Sequence, residues 1–404
     1  MELSSISIAI TSLVGALFSP GAMFTTGVNG AWYDPSDFST MFQNAAGTTP
    51  VTAVGQPVGL MLDKSKGSVL GPELVTNGDF SNGTTGWTIG ANITASVAAG
   101  EAVVNFVGSI SSTSNNWFAA NSPSTANKRY RIEFDATYVS GGDLQAGTDW
   151  TVGKTITGAS NAGVKTRYSL DVSSQATLSV FGLVTFGSTT TATWKLDNIS
   201  VRELPGNHAF NPSGNSANFP VLQQDGTGRY YLAFNGVNQW LQTNSIDFTY
   251  GDKMFVSAGV RKLSDAALGT VVGLTTGITS NNGAFRLAAP GSAAPNLEWS
   301  AKGTTQVDLT STTYTAPITS IVSGTADISG SSTIQRINGA QTASSASSLG
   351  TGNFSNAALY LGASGGTANW LNGRLYGLVV AGKQASASEI TSTEAWLNSK
   401  TGAY

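Results

Sequence analysis

The sequence contains no cysteine and a single histidine, His208. Without cysteine there is no disulfide framework and no zinc–thiolate site, so the core has to come from packing alone. With one imidazole, a Ser-His-Asp site would have to use His208, which stands in a Gly/Asn/Pro-rich loop with no G-x-S-x-G pattern nearby. No H-E-x-x-H or phosphate-loop pattern occurs. Charge is scarce too. Only 11% of the residues are Asp, Glu, Lys or Arg, against an average of about 25%. The net charge is −3 and the first basic residue is Lys64. That balance carries no electrostatic footprint for nucleic acid. A signal peptide needs a basic n-region, and the only early charge is Glu2. A transmembrane helix needs about 20 apolar residues, and the first apolar run is broken by Ser, Thr and Gly before that.

What replaces charge is Gly, Ser, Thr and Asn, with 48 glycines. This is the composition of many short strands joined by tight turns. Disorder is excluded, because 40% of the chain is hydrophobic and it has 9 Trp, 11 Tyr and 17 Phe. The clearest stretch is 374–404. Leu375, Gly377 and Val379 alternate with Tyr376, Leu378 and Val380, so this strand is apolar on both faces and is expected to be buried on both. The period then changes. Ser386 and Glu389 form an S-x-x-E capping box, and Ile390, Thr393, Trp396 and Leu397 make one helical stripe. Lys400 lies in the last turn and Gly402 at the C-cap position.

The rest reads as β. Ile6, Ile10, Leu13, Val14, Leu17 and Phe18 form an apolar stripe, expected to be an arm buried against another chain or packed on its own protein. In 31–70, Asp34-Pro35 starts a turn and 36–42 suits one helical turn, with Phe38 and Phe42 at i, i+4. So short a segment cannot bury its Trp, Phe, Met and Leu by itself. Gly71-Pro72 marks a boundary. Beyond it, Tyr130, Ile132 and Phe134 alternate with Arg131, Glu133 and Asp135, and Val164, Thr166, Tyr168 and Leu170 alternate likewise, as half-buried antiparallel strands do. Trp87, Phe106, Phe134 and Trp194 are expected in that core. After Leu204, Asn235-Gly236 is a hairpin turn signal. Further strands are expected at 254–260, 284–287, 297–301 and 358–361. Residues 303–350 are Thr/Ser-rich and weakly patterned.

Three stretches resemble known families. Residues 32–65, WYDPSDFSTMFQNAAGTTPVTAVGQPVGLMLDKS, resemble a segment recurring in tailed-phage structural proteins. The pair ELVTNGDFSNGTTGWTIG and TWKLDNISVREL resembles the opening and closing of jelly-roll carbohydrate-binding modules. YYLAFNGVNQWLQT and the last 45 or so residues resemble the first hairpin and the end of laminin-G/concanavalin-like sandwiches of phage virion proteins. The fold expected is therefore mainly β: two antiparallel sandwiches after an N-terminal anchor, with a short C-terminal helix. The parts are 1–70, 71–204 and 205–404.

The carbohydrate-binding resemblance implies a structural calcium held by the acid of the closing strand and a Glu of the opening motif. Asp197 matches the first; Ser81 replaces the second, with Asp79 two residues away. No other cofactor is implied. Sugars stack on aromatic faces and bind amides. The candidates are Trp117 with Asn116, and Trp150 with Asp149, in the middle part. In the last part they are Trp240, Trp299 and Trp370, the last flanked by Asn369 and Asn372. The paired carboxylates Glu133/Asp135 and Asp143/Asp149 are the candidates for a glycosidase; solvated charges are the ordinary fate of the first pair, the second lies in a Gly-rich loop suited to a sugar, a calcium ion or neither, and no enzyme is expected. Trp32, Tyr33, Phe38, Phe42, Leu60 and Leu62 are the expected assembly surface. The function that follows is a structural subunit of a phage virion: a tail or head fibre, appendage or decoration. It docks to other virion proteins through 1–70, sits at the virion surface and binds host polysaccharide. It forms a homo-oligomer, a trimer by analogy with phage fibres, without nucleic acid and without membrane insertion. The alternatives are a secreted bacterial carbohydrate-binding protein and a virion depolymerase.

Overall fold

The computed structural model describes residues 18–47, 49–67, 70–107, 117–120, 128–147, 153–158, 162–173, 181–185 and 191–404. Ile6, Ile10, Leu13, Val14 and Leu17 lie outside them. The described chain is mainly β, in four antiparallel sheets with no closed barrel, and carries one α-helix, Ala387–Thr401. No helix among the described residues is long and apolar enough to cross a membrane. The fold divides into two compact units, not three. One comprises residues 68–205 with 46–48; the other comprises the remaining described residues up to 67 together with 206–404.

The middle unit packs two five-stranded sheets. One orders Gly153–Ile156, Leu144–Gly147, Phe181–Thr185, Phe118–Ala120 and Trp87–Ile89; the other orders Thr166–Ser173, Arg129–Gly141, Ala192–Leu204, Glu101–Phe106 and Ile93–Ala98. Trp87, Phe106, Phe134 and Trp194 all lie in the core between them. The second sheet keeps its polar face in water, with Arg131 on Asp171, Lys165 on Asp197 and Arg202 on Glu73.

The other unit is a larger sandwich. Its eight-stranded sheet orders Val221–Gln224, Tyr230–Asn235, Asn372–Ala381, Lys253–Lys262, Ile318–Asp327, Ser332–Ile337 and Ala340–Ser345. Gly30–Tyr33 joins it on Asn372–Ala381, from Gly30 opposite Ala381 to Tyr33 opposite Leu378. Tyr230–Asn235 occupies the same edge further along, so two strands share it. Glycine is required at the start of the added strand: a Cβ on Gly30 would lie 2.0 Å from the Val380 carbonyl oxygen. The nine-stranded sheet orders Met41–Phe42, Leu60–Met61, Ala209–Phe210, Leu241–Asp247, Asn356–Leu361, Thr270–Leu274, Ala284–Ala288, Asn296–Lys302 and Gln306–Thr312.

This placement corrects the expected anchor and assembly surface. Trp32, Tyr33, Phe42, Leu60 and Leu62 are all buried in the chain's own sandwich. Phe38 packs edge-on against Tyr230 at 4.9 Å between ring centroids. The segment cannot bury these groups alone, and the sandwich offers two open sheet edges that do it. Residues 36–42 are a single 3-10 turn, Phe38–Thr40, running into a strand.

Two local expectations also change. Asn235-Gly236 does not make a hairpin. Tyr230–Asn235 and Leu241–Asp247 lie in different sheets, and the Gly236 N–H donates to the Leu371 carbonyl at 2.9 Å. The alternation over 375–380 is broken by a β-bulge: Leu375 faces Val260 while Gly377 faces Gly259. Tyr376 is therefore an extra residue, and Leu375, Leu378 and Val380 all enter the main core.

The helix has the ends its sequence signals. The Ser386 hydroxyl accepts from the Glu389 N–H, Glu389 accepts from the Ser386 N–H, and Gly402 is left-handed at φ 57°. Trp396 and Leu397 pack with Trp32, Met23 and Val379 on the outside of the eight-stranded sheet. Glu394 on the same face is buried and takes a two-pronged bond from Arg336 at 2.9 and 3.0 Å.

Asp252 gives one pH signature. The Lys253 ammonium first, then Ser329, lowers its carboxyl from 3.8 to about 2. A depressed carboxyl stabilises the fold above its unfolded pKa, and that share is lost as pH falls from 3.8 towards 2. Asp252→Asn is expected to cost at most about 1 kcal/mol at pH 7, because the pair is partly exposed. Urea melts at stepped pH should show a flatter acid limb for the variant; an identical limb would refute the assignment.

Candidate functional site

Strand alternation builds the site on the outer face of the nine-stranded sheet. Leu241, Leu361, Val272, Leu287, Trp299 and Leu309 are cross-strand partners in the core. The next row therefore faces outward. It runs Gln242, Tyr360, Gly273, Arg286, Ser300, Asp308.

Trp240, two residues before Gln242, stacks on Tyr360 with ring centroids 6.0 Å apart and planes at 27°. Both rings are half-buried. The indole lies over Gly366, where a Cβ would come within 2.5 Å of the ring. Amides fix the backbone beneath it. The buried Asn211 side chain donates to the Trp240 carbonyl at 2.7 Å and to the Asn218 carbonyl at 3.0 Å. The Trp240 N–H donates to that same Asn218 carbonyl at 3.2 Å. A relay of amides runs alongside, Asn235 to Asn238 at 2.7 Å and Asn238 to Asn218 at 2.8 Å. Among the described residues, no protein group accepts from the Trp240 indole N–H or bonds the Tyr360 hydroxyl or the Gln242 amide. The platform thus presents an aromatic face with three polar tips. Further along the row, beyond Gly273, Arg286 is paired to Glu298, which also accepts from Ser300 at 2.9 Å.

The other sequence candidates scatter. Trp299 is fully buried and donates to the Thr325 carbonyl at 3.1 Å, so it is core and not a platform. Trp117 is buried against Gly182, where a Cβ would lie 2.1 Å from its ring. Asn116, Asp149 and Trp150 lie outside the described residues. The chain enters Phe118–Ala120 from Trp117, and it leaves Leu144–Gly147 at the opposite end of the same sheet, since both strands run antiparallel to Phe181–Thr185. Trp370 is half-buried, and Asn372 is exposed at the start of its strand beside Gly236.

The calcium set does not fit. Calcium wants six to eight oxygens. The Asp197 carboxylate takes the Lys165 ammonium at 2.8 Å and the Asn198 N–H at 2.8 Å. Asp79 is exposed and turned onto Ser81, whose N–H and hydroxyl lower its carboxyl. No group of three acidic or histidine side chains able to hold a metal stands among the described residues. The paired carboxylates are spent as well. Arg167 reaches both Glu133 at 3.6 Å and Asp135 at 3.4 Å, and Asp143 accepts from the Gly158 N–H at 2.9 Å. His208 is not a free loop residue: its Nδ1 accepts the Asp63 N–H at 3.0 Å. Asp63 is buried, and burial pushes its carboxyl up against hydrogen bonds from Ser65, Asn207 and Trp32.

Tyr360 and Gln242 went unnoticed in the sequence. Their signal was present, since Tyr360 sits between Leu359 and Leu361, and Gln242 between Leu241 and Thr243, all four buried on the inner side.

No protein-family model and no curated protein matches the chain. Solved structures do, among them the following three, each over less than half of it. The CBM40 module of the Ruminococcus gnavus IT-sialidase, solved with α2,3-sialyllactose, is 15% identical, with 36% of this chain and 83% of the module covered and a TM-score of 0.29. A second structure of the same module is 14% identical, with 38% of this chain and 97% of the module covered and a TM-score of 0.31. The receptor-binding domain of botulinum neurotoxin type G is 13% identical, covering 45% of this chain and 47% of that domain, with a TM-score of 0.32.

Proposed function

We propose that this chain is a glycan-binding β-sandwich protein of a phage virion surface and that it performs no catalysis. The observation that carries the binding is the Trp240–Tyr360 pair. A sugar ring needs a flat apolar face and convergent hydroxyl partners. The pair offers both, on a rigid sheet, with the Trp240 indole N–H, the Tyr360 hydroxyl and the Gln242 amide at its rim. The virion assignment is supported by the phage-like stretches 32–65 and 230–243 and by the low-charge, hydroxyl-rich composition. Docking to other virion proteins and association into a homo-oligomer belong to the same proposal, through surfaces other than the buried 30–62 segment. The reading without catalysis is supported by Glu133 and Asp135 sharing Arg167. Release of reducing ends from host capsule would instead favour a depolymerase.

Binding to host surface polysaccharides, measured by glycan array and then by calorimetry, tests the platform. Trp240→Ala and Tyr360→Ala are each expected to weaken binding at least tenfold, about 1.4 kcal/mol. Their melting curves should stay close to wild type, because both rings are half-exposed. Unchanged binding by both variants would remove the platform from the proposal.

A further inference from the structure

A second charged feature lies on the other sheet of the same sandwich. Arg261 and Arg374 stand directly opposite each other on adjacent strands. Their neighbours Val260 and Leu375 enter the core, so both arginines face outward. The cross-strand row runs Val221, Ala233, Arg374, Arg261, Thr319, with no other charge in it. Like charges in this position destabilise a sheet. Elsewhere the chain avoids the cost: Arg131, Arg167, Arg202, Arg286 and Arg336 each meet a carboxylate. Among the described residues Arg261 and Arg374 meet none.

The two guanidiniums lean apart. Arg261 donates from Nη1 to the Thr319 hydroxyl at 3.0 Å, and its Nε is buried without a partner. Arg374 lies over the Tyr231 ring, 4.5 Å from its centroid, and reaches the Tyr376 phenol. The nearby acid is already committed. Asp225 Oδ1 takes the N–H groups of Thr227 and Arg229 and the Thr227 hydroxyl, and Oδ2 takes the Tyr376 hydroxyl at 3.4 Å. Arg229 itself is packed against Gly402 at the end of the helix, where a cation meets the last carbonyls.

We infer that Arg261 and Arg374 form a site for an oxyanion: a carboxylate, sulfate or phosphate. Guanidinium forks match these groups in geometry, and one anion that draws both side chains in from Thr319 and Tyr231 removes their repulsion while giving the buried Arg261 Nε an acceptor. The site stands on the eight-stranded sheet and is independent of the Trp240 platform. An acidic saccharide and a free inorganic anion carry the same group, and separate arms of one experiment tell them apart.

The full chain is titrated with sodium sulfate and sodium phosphate, against sodium chloride at equal ionic strength, by calorimetry and by melting temperature. Sulfate stabilises proteins in general by exclusion from their surface. The reading is therefore the difference between wild type and Arg261→Gln/Arg374→Gln. Wild type should bind, each single variant should bind at least tenfold more weakly, and the double variant should not bind. Lys substitutions at the same positions guard against misfolding: they keep charge but lose the fork, and should fall between. Trp240→Ala should leave the sulfate response unchanged, which separates this site from the platform. Displacement of sulfate by a uronate-bearing or sulfated oligosaccharide identifies a saccharide-borne ligand; displacement by inorganic anions alone identifies a free ion. A double variant that responds like wild type, or a wild type that responds to sulfate no more than to chloride, overturns the inference.

Discussion

A chain spanning residues 71–404 is expected to lose the fold of its larger sandwich. The missing segment supplies Tyr33, Met41, Val51, Val58 and Met61 to the main core. Each buried side chain of this size is worth about 1.5–3 kcal/mol. Five together reach roughly 7–15 kcal/mol, the whole stability of an ordinary domain. The loss also bares the edge at residues 378–381 and the Ala209–Phe210 strand, and unpaired edges recruit other chains. Light scattering after size exclusion should show aggregation, and melting should show only the transition of residues 71–205. A monodisperse 71–404 with a wild-type melting profile would mean that the segment is dispensable. The opposite cut should be tolerated. Met61 pairs with Ala209, and Asp63 exchanges hydrogen bonds with Asn207 and His208, so the chain leaves and re-enters the sandwich at one place. Replacing 68–205 by a short glycine-rich link is expected to keep a single cooperative transition.

Trp299→Ala is expected to cost about 3–5 kcal/mol, the usual range for a buried Trp or Phe truncated to Ala. The indole is fully buried, 5.7 Å from the Phe285 ring, and its N–H is the donor to the Thr325 carbonyl. Truncation therefore leaves a cavity and an orphaned acceptor. Gly324 lies against the indole, and a Cβ there would come 2.1 Å from the ring. Gly324→Ala should destabilise in the same direction by crowding it. Denaturant melts of the larger unit read both. A Trp299→Ala variant of unchanged stability but lost glycan binding would restore it as a site residue.

The contrast between Trp299 and Trp240 shows how far local pattern reaches. Leu297, Trp299 and Ala301 alternate with Glu298, Ser300 and Lys302, so the inward direction of Trp299 was written in the strand. Trp240 shares its parity with Gln242, which marks it as outward. Flanking amides were a poorer guide, because Asn and Ser also build the loops that support a core tryptophan. The helix was legible to its caps, since a capping box and a C-terminal glycine act within four residues. Turn chemistry was legible only as turn chemistry. Asn338-Gly339, with φ of 51° and 81°, closes a hairpin, whereas Asn235-Gly236 turns a corner between sheets. The choice is made by Leu371, far along the chain. In the same way, nothing near 30–62 says that its partners are 378–381 and 209–210. The arginine pair required register, because a one-residue slip across the bulge at Tyr376 would put the two side chains out of line.

The pairing of Gly30–Tyr33 with the strand ending at Ala381 also sets a schedule for biosynthesis. About 350 residues must leave the ribosome between the two partners, which takes roughly 20–70 s at about 5–20 residues per second. Over that interval Trp32 and Tyr33 have no partner strand, while residues 68–205 already have a complete core of their own. The strand Gly30–Tyr33 is thus the last to be locked, and nascent chains stalled before residue 378 carry Ala31, Trp32 and Tyr33 without the strand that covers them.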